Sequence, residues 1–247
     1  MSSDVIQAAL WGFVAASPLP LGALVAMRTT LSTRTVGAIM AFGAGTLISA
    51  VTFELVEQAF DRADLWPVVA GLGLGAVVFT ASDAALMRAG GRRHRGVGTG
   101  AHDGGDGGLA IALGAVLDGV PESLVLGISL ASGGAISVTF VIAVFVSNVP
   151  ESLSSTRGML DAGHRRGRVL LLWLVVALVS AVVAGMGATL DELDEGIVAL
   201  VQSFAAGALL ALIADSLLPD AYREAGLRTG LFVVLGFALA FGLTAFD

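Results

Sequence analysis

Cysteine and lysine are both absent from this chain of 247 residues. Without cysteine there can be no disulfide, no thiolate metal site and no cysteine nucleophile. Histidine is scarce: His94, His102 and His164 all fall in polar segments, so the apolar part of the chain holds no imidazole. Charge is scarce too, at 13% of residues, against roughly 25% in soluble domains. In their place, 56% of the residues are hydrophobic and the mean hydropathy is +0.89. Such a composition belongs to a membrane protein. The net charge of -7 argues against nucleic acid as a partner. The opening stretch, MSSDVIQAALWGFVAASPLPLG, has no basic leader and reads as a first span rather than a cleaved signal peptide.

A membrane span needs about 20 mostly apolar residues. The sequence divides into eight such stretches, at 6–27, 36–60, 67–87, 109–131, 136–156, 169–190, 197–218 and 230–246. The expected fold class is therefore an all-α integral membrane protein of eight transmembrane helices, one domain over 1–247. Arginines segregate with that count. Arg28 and Arg34, Arg88 to Arg95, Arg157 to Arg168, and Arg223 with Arg228 occupy alternate loops, and only Arg62 lies on the other side. By the positive-inside rule the arginine-rich loops are cytoplasmic, which puts both termini outside a plasma membrane. The glycine-rich segment 90–108 reads as a flexible cytoplasmic linker.

An internal echo links FGAGTLISA, from Phe42, to FAAGALLAL, from Phe204. The two lie in spans that cross in opposite directions. Helices 1–3 and 6–8 thus read as inverted repeats around helices 4 and 5, an arrangement characteristic of secondary transporters.

Helices 4 and 5 carry LDGVPESLVLG and VSNVPESLSST. Each places a glutamate, Glu122 or Glu151, well inside an apolar run, where a charge costs about 2.5–3.5 kcal/mol on insertion scales. Asp118 and Glu122 are spaced i,i+4 and share a helix face, as do Ser147 and Glu151, with Asn148 adjacent. Three carboxylates, an amide and a hydroxyl are the ligands that a divalent cation would take. Pro121 and Pro150 cannot donate to the carbonyls of Leu117 and Val146, so each helix is expected to kink beside its carboxylates. Glu54 and Glu57, on one face of span two, are candidates for an outer vestibule, and Asp215 in span seven for an exit.

These paired motifs resemble those of the ZIP (Zrt/Irt-like protein) family of divalent-metal transporters. That family typically carries His-Asn-x-Pro-Glu-Gly in its fourth span and a related His-x-x-Pro-Glu-Gly in its fifth. Here Asp118 and Gly119 stand for the first histidine and asparagine, Ser147 for the second histidine, and Ser123 and Ser152 for the glycines. The resemblance extends to span number, orientation, the second and seventh spans and the long loop after span three. It implies import of a divalent metal by alternating access, with spans one, four, five and six moving against the others. Without imidazole the site is richer in oxygen, which suits manganese, magnesium or calcium; zinc is the first expectation, with manganese or iron as the others. No enzyme activity and no bound cofactor are expected. The expected partners are the metal and the lipid bilayer, with a homodimer left open as the assembly. A histidine-poor relative that binds metal as a sensor or scaffold, without transport, is the alternative.

Overall fold

A backbone inside lipid must satisfy its own N–H and C=O groups, and over a single apolar run only a helix does so. The computed structural model describes residues 2–88, 107–133, 137–190 and 193–244. All regular structure among these residues is helical. Most of the 90–108 linker, including His94 and His102, lies outside them, as do Gly134 and Ala135 between spans four and five.

Eleven α-helices follow in order: α1 Ser2–Ala16, α2 Pro18–Ala26, α3 Thr33–Ala50, α4 Glu57–Arg62, α5 Leu65–Arg88, α6 Gly107–Gly133, α7 Val138–Asp161, α8 Arg166–Gly187, α9 Glu195–Leu212, α10 Leu218–Ala225 and α11 Thr229–Leu243. The sequence sets several of their limits. The first expected span is divided into α1 and α2 because Pro18 has no N–H for the Val14 carbonyl; the Ser17 hydroxyl donates to that oxygen instead, at 2.6 Å. Ser32 and Ser137 cap α3 and α7, accepting from the backbone N–H of Thr35 and Phe140 at 3.1 and 3.0 Å. Gly163, at φ +85, ends α7 in a Schellman turn: His164 N–H reaches Met159 O at 3.0 Å and Gly163 N–H reaches Leu160 O at 2.9 Å.

Among the described residues, seven helical stretches are long and apolar enough to cross a membrane. The last, Glu195–Leu243, is 49 residues long. As one straight helix it would measure about 73 Å, more than twice the hydrocarbon thickness of about 30 Å. It is broken instead at Gly226, whose φ of +66 ends α10. Apolar side chains such as Leu74, Val77, Val182 and Val234 stay exposed, as a face turned to lipid requires.

Helix packing is set by glycine. α5 lies along α9, and α11 along α3. A Cβ at Gly45 would overlap the carbonyl oxygen of Val233, and one at Gly236 that of Phe42. A Cβ at Gly207 would overlap the carbonyl of Leu72, and one at Gly75 that of Phe204. The two interfaces therefore use the same device, with the same three-residue spacing on both helices of each. Two further departures from regularity match. α3 runs on into α4 through a π-turn at Val51–Val56, and α9 into α10 through a second at Ile213–Leu217. Each begins nine residues after the phenylalanine of its FxxG echo.

α6 and α7, the expected central pair, touch one another only lightly. α6 packs mainly on α8, and α7 on α3 and α2. Trp173 of α8, fully buried, ties α8 to α7 by donating its indole N–H to the Thr156 hydroxyl at 2.8 Å.

Candidate cation site

Among the described residues, every buried ionisable side chain is a carboxylate: Glu54, Asp118, Glu122, Glu151 and Asp220. Three of these come from the paired motifs. Asp118 and Glu122 are each 3% exposed and Glu151 is 7% exposed. Ser147 and Asn148 are buried as well. All five residues expected at the site are thus inside the bundle, on α6 and α7.

They do not all meet in one place. A narrow cavity, with room for about one water-sized particle, lies between α1, α2, α6, α7 and α8. Its polar lining is Glu122 and Ser123 from α6, Asn148 from α7 and Ser180 from α8. Asp118, Ser147 and Glu151 do not line it. No group of three or more acidic or histidine side chains is close enough to cage a metal ion among the described residues. In this conformation the cavity joins one motif carboxylate to the amide of the other motif.

The neighbours of that amide orient it. Asn148 donates its side-chain N–H to the carbonyl of Ala15 at 3.2 Å. That bond commits the nitrogen and leaves the amide oxygen as the group available to a cation. Ser147 donates to Val144 O at 2.9 Å within its own helix. Ser152, which stands where the family pattern has glycine, donates to Pro18 O at 3.1 Å and packs closely on Gly22. It thereby fixes α7 against the start of α2.

α6 and α7 continue as α-helices through Pro121 and Pro150. The backbone leaves α-geometry elsewhere, at the two π-turns, and each turn carries one of the acidic residues expected along the pathway. Glu54 is buried in the first, while Asp215 is exposed in the second, with the Thr80 hydroxyl 3.4 Å from its carboxylate. Glu57, at the start of α4, is exposed. None of the three lines the central cavity. π-Turns of this kind occur often at functional sites.

The residues around Glu54 were not singled out from the sequence. Gln202 of α9, fully buried, donates one amide N–H to the backbone carbonyl of Glu54 at 3.1 Å and another to the Gln58 side-chain oxygen at 3.2 Å. Gln58 in turn donates to the Glu54 carboxylate at 3.1 Å. A backbone carbonyl can only accept, so it fixes the polarity of the whole chain of amides and presents a donor to the carboxylate. A glutamine in the largely apolar stretch IVALVQSFAAG was the available signal. Asp220 was missed as well; it pairs with Arg223 one turn along α10.

No family model matches the sequence, and no curated protein matches it.

Proposed function

We propose that the chain is a ZIP-like secondary transporter that carries a divalent metal ion into the cytoplasm by alternating access, with zinc as the first candidate and manganese or iron as the others. The observation that carries this reading is the cavity in which Glu122 of one Pro-Glu helix and Asn148 of the other face a common space inside a helical membrane bundle. A carboxylate and an amide oxygen are hard oxygen ligands, and both are buried where a charge without function is costly. Ser147, next to Asn148, and Asp118 and Glu151, each about one turn from a cavity residue on the same two helices, complete the set as the bundle rearranges. Glu54, Glu57 and Asp215 belong to the path on either side. Divalent-metal uptake into proteoliposomes tests the reading directly, and a protein that inserts correctly but admits no metal sinks it.

The finer architecture is part of the same proposal. Glu195–Leu243 divides at Gly226 into two crossings, which gives eight spans in one domain. Spans one to three and six to eight are inverted repeats. The matched glycine–carbonyl interfaces and the matched π-turns support that pairing. The arginine-rich ends face the cytoplasm and both termini lie outside the plasma membrane. A protease-accessible tag placed within 90–108 should be cleaved only from the cytoplasmic side; cleavage from outside reverses the orientation.

The second reading, a sensor or scaffold that binds metal without moving it, rests on the motif positions Asp118 and Ser147, which carry no histidine. Metal binding without uptake would decide for it.

Selectivity supplies a further test. Asp118 stands where the resemblance places a histidine. Asp118→His should raise zinc transport relative to manganese, because imidazole favours zinc over harder cations. It should also steepen the pH dependence between about pH 5 and 8, where histidine titrates. Competitive uptake of the two metals measures both effects. An unchanged ratio removes Asp118 from the coordination shell.

A further inference from the structure

Arginines gather at one end of the bundle in an arrangement that helix formation does not explain. Arg165 precedes α8, and Arg166 and Arg168 lie in its first turn. Cations are disfavoured at a helix N-terminus, where the macrodipole is positive. Arg165 and Arg166 nevertheless line an open groove there, together with Arg157 and His164. Among the described residues, the single acidic one in the lining is Asp161. It lies 4.0 Å from Arg157 in an exposed i,i+4 pair, a contact of little strength. The groove therefore keeps a marked positive excess.

The rest of its lining is apolar. Met27, at the end of α2, and Leu160, near the end of α7, form part of the wall. His164 turns one ring nitrogen inward to the Met159 carbonyl, 3.1 Å away. Since that carbonyl can only accept, the nitrogen facing it carries the proton. A basic groove with an apolar side, at the end of helices apolar enough to cross a membrane, has the chemistry of a phospholipid site. Arginine forks match phosphate oxygens in pairs, and the apolar side suits the glycerol and upper acyl chain.

We infer that this groove binds the headgroup of an anionic phospholipid, held by Arg157, Arg165 and Arg166, and that the lipid bridges the ends of α2, α7 and α8. The inference does not depend on transport. It does bear on it, because α7 carries Glu151 six residues before Arg157, so a lipid clamped at this end restrains the helix that bears the motif.

The test uses the full-length protein in detergent micelles doped with phosphatidylglycerol or phosphatidylcholine, with bound lipid counted by native mass spectrometry and affinity measured by titration. Wild type should retain phosphatidylglycerol in preference to phosphatidylcholine. Loss of each arginine near an anionic headgroup should weaken binding about fivefold. The variant R157Q/R165Q/R166Q should therefore bind phosphatidylglycerol more than tenfold more weakly. The variant R34Q/R88Q/R228Q removes the same charge outside the groove and should bind like wild type. An equal loss in both variants, or no preference between the lipids, overturns the inference. Inorganic phosphate that binds as tightly as phosphatidylglycerol makes the groove a free-anion site and overturns the lipid assignment. If the triple variant does not fold, R165Q/R166Q, which alters only exposed side chains, should still bind phosphatidylglycerol more weakly than wild type, by a smaller factor; unchanged binding by that variant overturns the inference.

Discussion

Glu122→Ala should abolish metal uptake into proteoliposomes while the protein still inserts and keeps its helical content. Glu122 is 3% exposed and is, among the described residues, the only ionisable one lining the central cavity. The other polar groups there are a serine from each of α6 and α8 and the Asn148 amide, which are neutral and weak ligands on their own. Loss of supporting groups around a metal already costs about 10–100-fold in affinity, and loss of the carboxylate itself should exceed that. Glu122→Gln keeps the shape and a ligand oxygen but removes the charge, and should fail nearly as completely. α6 continues as an α-helix through Pro121, so its backbone does not depend on a charge at 122. Glu151→Ala should have the same effect by a different route. Glu151 lies outside the cavity in this conformation, and on the proposed reading it contributes as the ion moves along α7. Transport at the wild-type rate by either correctly inserted alanine variant would remove that residue from the pathway.

Gly75→Ala should destabilise the protein markedly, whereas Gly73→Ala, two residues earlier on the same helix, should not. Both belong to GLGLG in α5. A methyl group at Gly75 would overlap the backbone carbonyl of Phe204, which no rotamer change can move aside. A methyl group at Gly73 would meet nothing within 4 Å. Forcing a methyl into a packed interface costs about 1–3 kcal/mol, more when the obstacle is backbone, because small residues are what let membrane helices approach so closely. At Gly73 only the helix propensity changes, and alanine is favoured there by about 0.8–1.0 kcal/mol. Thermal unfolding in detergent should show the midpoint falling for the first variant and holding or rising for the second. Gly45→Ala, against the Val233 carbonyl in the matching interface, should behave like Gly75→Ala. Equal effects at Gly73 and Gly75 would mean that α5 and α9 do not pack as described.

Much of this protein was legible in the sequence because the relevant physics is local. Apolar runs of about 20 residues must become helices in lipid, and helices lie along the expected stretches, the first, second and seventh of them in more than one piece. The carboxylates of VPESL had to lie within helices for the same reason, since no loop signal surrounds them. Gly73 and Gly75, by contrast, look identical in GLGLG. Only the rotation of α5 against α9 decides which of them meets a carbonyl. The same holds for the candidate site. The i,i+4 spacing put Asp118 and Glu122 on one face of α6, but which of them borders a cavity with Asn148 depends on how α6 and α7 sit against α1, α2 and α8. The π-turns, and the Gln202–Gln58–Glu54 chain built on one of them, were equally hidden, because an extra residue in a helical turn is stabilised by partners from another helix. Sequence alone determined that the chain forms apolar helices with carboxylates inside them, through the solvation of backbone and charge. Tertiary structure alone decided which carboxylate faces a cavity, which glycines carry the packing and where the helices loosen, because each of these depends on atoms contributed by a distant part of the chain.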